Sequence, residues 1–120
     1  MIEIGSRART QPPPPQVVFE SLVTPNRDPA RPWLALLDDE QWPLVIDQVP
    51  STSVTWSSLW TKRPDAIVRF DLSPAAQGSD TMLRWTLLVD EPAPEDALVG
   101  HMRKRLNQLI NAQLRYTYGQ

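Results

Sequence analysis

The sequence predicts an α+β chain in which an antiparallel sheet packs against one long C-terminal helix. Two observations carry this. From Trp42 to Val89 the apolar residues recur with a period of two, and from Glu95 to Tyr118 they recur with a period near 3.6. Each pattern has one apolar side, so each element needs the other as a partner.

The helix is the longest signal. At about 100° per residue, Leu98, Val99, Met102, Leu106, Leu109 and Ile110 fall within one arc of roughly 120°. Tyr116 and Thr117 return to that arc, while Lys104, Gln108, Asn111 and Arg115 lie opposite. Asp96, after Pro92 and Pro94, supplies a negative N-terminal end, the basic residues lie further along, and Gly119 is placed to end the helix.

Before the helix, Ile2 to Thr10 alternates Ile2, Ile4, Ser6 and Ala8 against Glu3, Gly5, Arg7 and Arg9, which reads as a strand with a small apolar face. Pro12 to Pro15 ends it. The proline run resembles a polyproline ligand, but Val17, Val18, Phe19 and Leu22 follow at once, so a stiff connection into a short helix over 14–22 fits better. Turn residues from Thr24 to Pro29 interrupt it, and a second short helix is expected from Ala30 through Leu37. Four strands follow: Leu44 to Val49, Ser53 to Thr61, Ala66 to Leu72 and Thr81 to Val89. Turns fall at 50–52 and 62–65, and a loop at 73–80.

Composition narrows the function. At 120 residues with 41% hydrophobic residues the chain suits one core, and residues 1–120 are expected to form a single domain. The net charge of −2 gives no global basic field for nucleic acid, so Met102-Arg103-Lys104-Arg105 reads as a solvated helix flank. Cysteine is absent, which excludes disulfides, thiolate nucleophiles and zinc-thiolate sites. No apolar run reaches membrane-spanning length, and the expectation is a soluble cytoplasmic protein without an integral membrane segment.

The element order, strand, two short helices, antiparallel strands and closing helix, resembles the START-related superfamily, also called SRPBCC, and in particular its small bacterial members. This superfamily includes polyketide cyclase-like and pollen-allergen-like proteins. The resemblance rests on Ile4-Gly5-Ser6-Arg7 leading through the prolines to Val17-Val18-Phe19-Glu20-Ser21-Leu22. It continues through Trp33, Arg69-Phe70-Asp71-Leu72, Leu83-Arg84-Trp85-Thr86-Leu87 and Asn111-Ala112-Gln113-Leu114-Arg115. It implies a helix-grip fold, a curved antiparallel sheet wrapped around the C-terminal helix, with a cavity for a hydrophobic small molecule or lipid between them. The family has a longer meander than the four strands counted here, and a shortened sheet leaves an edge or apolar surface that a second copy can cover.

Five tryptophans in this length serve as core filling, as walls of an apolar pocket or as stacking platforms. The expected ligand-binding residues are Trp33, Trp56, Trp60, Phe70, Trp85, Met102, Leu106 and Leu109, with a homodimer centred on Trp56 to Trp60 or on Trp33 to Trp42. Catalytic chemistry is not legible. His101 is the only histidine and reads as a solvated helix residue, Ser57-Ser58 lacks a nucleophile setting, and Asp38-Asp39-Glu40 reads as a solvated segment, not a calcium loop. Arg69 and Asp71 are expected as an outer-face ion pair. No catalytic residue, metal ligand or cofactor is assigned. The readings left open beside ligand binding are a structural or protein-interaction module and a cyclase- or hydrolase-like enzyme.

Overall fold

A computed structural model describes residues 1–76 and 78–119. The order is β1 (Ile2–Gln11), α1 (Pro15–Val23), β2 (Val45–Val49), β3 (Ser53–Trp56), β4 (Ile67–Pro74), β5 (Thr81–Val89) and α2 (Asp96–Gln108). The last helix continues through a π-helical stretch, Leu109–Leu114, into α3 (Arg115–Thr117). The strands form one antiparallel sheet in the order β1-β5-β4-β3-β2. It curves around the C-terminal helix, as expected of the fold class. Of the loop expected at 73–80, Gln77 lies outside the described residues.

Alternation builds the inner face. Val54 and Trp56 of β3, Val68, Phe70 and Leu72 of β4, and Leu83, Trp85, Leu87 and Val89 of β5 are buried in one core with Met102, Leu106, Leu109, Ile110 and Leu114. Val18 and Leu22 of α1 close one end of that core. Pro15 starts α1, where its missing N–H removes no helical bond. On the outer face Arg69 pairs with Asp71 at 3.2 Å, both well exposed, as the alternation predicts.

Four expectations need correction. The third strand does not run to Thr61. It stops at Trp56, because Ser58 Oγ accepts the Trp60 N–H at 3.0 Å and lies 2.7 Å from Arg63 O, folding the chain into a turn. The second short helix is absent. Asn26, held at a positive φ of 60°, accepts the N–H groups of Trp33 and Leu34 at 2.7 and 2.8 Å and so removes them from any helical ladder. The twenty-one residues between Val23 and Val45 therefore form an irregular cover with one isolated bridge, Glu40 to Trp60.

The third correction concerns β1. A register shift between Glu3 and Gly5 makes Gly5, Arg7, Arg9 and Gln11 the partners of Leu87, Trp85, Leu83 and Thr81, all buried on the inner face. The bulge thus moves Arg7 and Arg9 to the helix side and sends Ser6 and Ala8 outward, the reverse of uninterrupted alternation. Gly5 is needed there, since a Cβ would sit 2.8 Å from Cγ of Arg103 on α2.

The fourth concerns the helix end. A π stretch inserts about one residue and rotates everything after it back by roughly 100°. Leu114 thereby enters the buried arc, Tyr118 packs on the core, and Tyr116 is 76% exposed instead of returning inward.

The turn before β4 is tied to the exit of β5. Arg63 grips Asp65 through two bonds of 2.9 and 2.8 Å and donates to Asp90 O and Pro92 O at 2.7 and 2.9 Å, while Asp90 N donates to Asp65. The Arg63 guanidinium holds the Asp65 carboxyl well below the usual carboxylate range. This clamp aims the chain toward α2.

The helix packing makes a measurable prediction. Leu106→Ala and Leu114→Ala should each cost about 2–4 kcal/mol in urea unfolding, whereas Tyr116→Ala should change stability by less than about 0.5 kcal/mol. A neutral Leu114→Ala beside a costly Tyr116→Ala would contradict the register produced by the π stretch.

Candidate functional site

The eight residues singled out from the sequence all lie in the single core between sheet and helix, none more than 5% exposed. Trp33 reaches it from the cover and stacks on Trp56 with centroids 6.1 Å apart, and Trp56 meets Phe70 edge-on at 4.7 Å. Trp60, Trp85, Met102, Leu106 and Leu109 complete the group.

The indoles differ in their polar ends. Trp56 Nε1 donates to Leu22 O at 2.9 Å, and Trp85 Nε1 donates to Asn107 Oδ1 at 3.1 Å. Trp60 Nε1 has no partner among the described residues, although the residue is only 1% exposed. A buried donor left unpaired costs about 1–3 kcal/mol, so its presence in the core is informative.

The cover is fixed to α2 by an ion pair that sequence reasoning missed. Glu40 accepts from Arg105 Nε at 2.7 Å and from Arg105 NH2 at 2.9 Å, and Arg105 also donates to Ala35 O at 2.6 Å. Both side chains are at most 10% exposed. Glu40 and Arg105 are thus not the solvated groups that their charged neighbours suggested. His101 is half-exposed and sits 3.1 Å from Asp39 Oδ2. Donor atoms of Asp39, Glu40 and His101 lie within 4.8 Å of one another. Both Glu40 oxygens are nevertheless engaged, and the adjacent guanidinium opposes a cation, so the cluster acts as a latch for the cover.

A cleft of about 470 Å³ opens beside the cover, bordered by Ser21, Thr24, Arg31, Trp33, Thr117 and Tyr118. Ser21 gives its own proton to Val17 O at 3.1 Å, so the Tyr118 hydroxyl is the donor in the 2.9 Å bond between them. Burial pushes the Tyr118 phenol up to about 12. Trp33 was the one wall residue legible in the sequence. Tyr118 was hidden by the π stretch.

Comparison with solved structures finds this arrangement in proteins of low sequence identity. The Aha1 dimer from Colwellia psychrerythraea superposes with a TM-score of 0.67 at 14% identity, covering 93% of this chain and 92% of that one. The chain has a helix-grip fold. CalU16 from Micromonospora echinospora gives 0.62 at 16% identity over 88% of this chain and 70% of that one. Ara h 8.0201 gives 0.55 at 14% over 97% of each. No protein-family model matches the sequence, and no curated protein matches it. At these identities the likeness shows the fold alone, a helix grip resembling the START-related clan.

Tyr118 gives a pH prediction. Its folded value lies above the ordinary phenol value of 10.0, so the folded chain keeps a proton that the unfolded chain loses. The contribution is intact below pH 10 and is lost as pH rises through 10 to 12. Denaturant midpoints should fall less steeply over that window in Tyr118→Phe than in the native chain. Identical slopes would show that the phenol is not buried.

Proposed function

We propose that this chain binds a small, mostly apolar molecule bearing one uncharged hydrogen-bond acceptor, held between the sheet and the C-terminal helix. The single observation that carries the reading is the unpartnered Trp60 Nε1–H inside the aromatic core. Trp33, Trp56, Phe70, Trp85, Met102, Leu106 and Leu109 supply the apolar surroundings, and the indole supplies the fixed polar group that orients such ligands. The helix-grip fold is consistent with a cavity at this place. Entry runs through the cleft beside Trp33, with the irregular cover as the part that moves. A structureless segment of this length in a compact chain is usually a binding loop or lid. Among the described residues no catalytic group faces this core in a geometry that assigns a reaction, and the proposal is for binding. Among the described residues no helix is long and apolar enough to cross a membrane, and we place the binding in the cytoplasm.

A second reading concerns association. Trp56 and Trp60 are inside the core and are unavailable as an interface centre. Trp42, Leu44, Ile46 and Val49 are instead 48–67% exposed along the β2 edge. We propose a homodimer through this edge. Sedimentation velocity should show a dimer that Ile46→Lys with Leu44→Lys converts to monomer, and a native chain that stays near 13.6 kDa at all concentrations would refute it.

For the ligand, 1-tetralone and tetralin are matched probes differing in the carbonyl acceptor. Tryptophan quenching should report saturable binding of both, tighter for the ketone by roughly 3- to 10-fold, the worth of one hydrogen bond. Trp60→Phe should abolish the difference. Equal affinities in the native chain, or no saturable binding, would overturn the proposal.

A further inference from the structure

The opposite edge of the sheet carries a separate feature. β1 pairs with β5 on one side and has no strand partner on the other among the described residues. Its bulge turns Arg7 and Arg9 toward the helix, and with Lys104, Asn107, Gln108 and Asn111 they line a groove of about 420 Å³. Arg7, Arg9 and Lys104 are exposed, and none has an acidic partner among the described residues. This concentration of positive charge lies on a chain whose net charge is −2.

The helix runs alongside β1. Arg103 packs on Gly5, Asn111 meets Arg9 and Gln11, and Arg115 donates to Thr10 O. The groove is therefore a slot parallel to the strand. Arg7 and Arg9 are about 6.7 Å apart along it, and Lys104 and Gln108 about 6 Å apart on the facing helix. The carboxamides are oriented too. Asn107 Oδ1 accepts from Trp85 and from Asn111 Nδ2 at 3.1 and 3.2 Å, which leaves its own NH2 as a donor.

We propose that the β1 edge and this slot bind an extended acidic segment of a partner protein, which adds as a strand to β1. Alternate residues of an added strand project to one face, so carboxylates two positions apart would lie over Arg7, Arg9 and Lys104 while the backbone bonds to the free edge. Inward-pointing charge on an edge strand normally blocks pairing. Here it rejects a second copy of β1, which would oppose arginine with arginine, and admits a strand of opposite charge. No aromatic side chain lines the slot. That disfavours single-stranded nucleic acid, which such grooves hold by stacking bases as well as by charge. This site is on the other sheet edge from the proposed dimer surface and is independent of the ligand core.

The test uses the full chain and a fluorescent peptide alternating glutamate and valine, with an alternating lysine and valine peptide, the glutamate peptide N-methylated at alternate residues, and oligothymidine as comparisons. The acidic peptide should bind saturably, and Arg7→Glu with Arg9→Glu should weaken it roughly tenfold or more. The N-methylated peptide should lose binding, and amide exchange at the outward β1 N–H groups should slow in the complex. Both arginines are exposed, so circular dichroism of the variant should match the native chain, and Lys104→Glu on the helix gives a second variant with the same expected direction. No saturable binding, unchanged binding in both variants, equal binding of the N-methylated peptide, or tighter binding of oligothymidine would each overturn strand addition.

Discussion

The burial of one helical arc against the inner sheet face is the constraint on which the rest of the structure depends. An amphipathic helix of this length is not stabilised by propensity alone, and a five-stranded sheet with one apolar face is equally incomplete. Each supplies the missing surface of the other. The π stretch at Leu109–Leu114 belongs to the same constraint, because it keeps Leu114 and Tyr118 on the sheet side where a straight helix would rotate them away. The bulge near Gly5 lets β1 approach closely enough for the helix stem of Arg103 to pass over it.

Two of the core tryptophans tie elements together through their indoles, and the third, Trp60, carries the unpartnered donor on which the binding proposal rests. Trp56 ties β3 to α1 through Leu22, and Trp85 ties β5 to α2 through Asn107. Trp60 ends a tight turn secured by Ser58 and lies beside Glu40, the residue that latches the cover to Arg105. The turn that carries the unpartnered donor is thus adjacent to the cover. In the proposed binding mode, movement of the cover is what admits a ligand to that donor.

The alternation from Val54 to Val89 and the 3.6-residue stripe were enough to read the antiparallel meander, its inner face and the closing helix, but not the pairing of β1 with β5. What else they missed has a common cause: single-residue insertions and side-chain bonds that leave no periodic trace. The bulge between Glu3 and Gly5 reversed the face of Arg7 and Arg9, and the π stretch exchanged Tyr116 for Tyr118. Asn26 suppressed the helix expected from Ala30 to Leu37, although Pro29 and Pro32 were a visible warning. The Glu40–Arg105 pair joins positions 65 residues apart, each embedded in a charged run that looked solvated. The candidate ligand residues were legible as apolar positions on facing elements. Which of them lacked a hydrogen-bond partner was not, since that depends on every neighbour in three dimensions.

The central claim, that Trp60 offers a hydrogen bond to a guest in the sheet-helix core, is tested most directly by the indole N–H resonances of the uniformly 15N-labelled protein. Saturation with 1-tetralone should move the Trp60 indole proton downfield as it gains an acceptor, while the indoles of Trp56 and Trp85, already bonded to Leu22 and Asn107, shift little. A Trp60 resonance that stays fixed while the ketone binds, or that already shows a bonded proton in the free protein, would contradict the account.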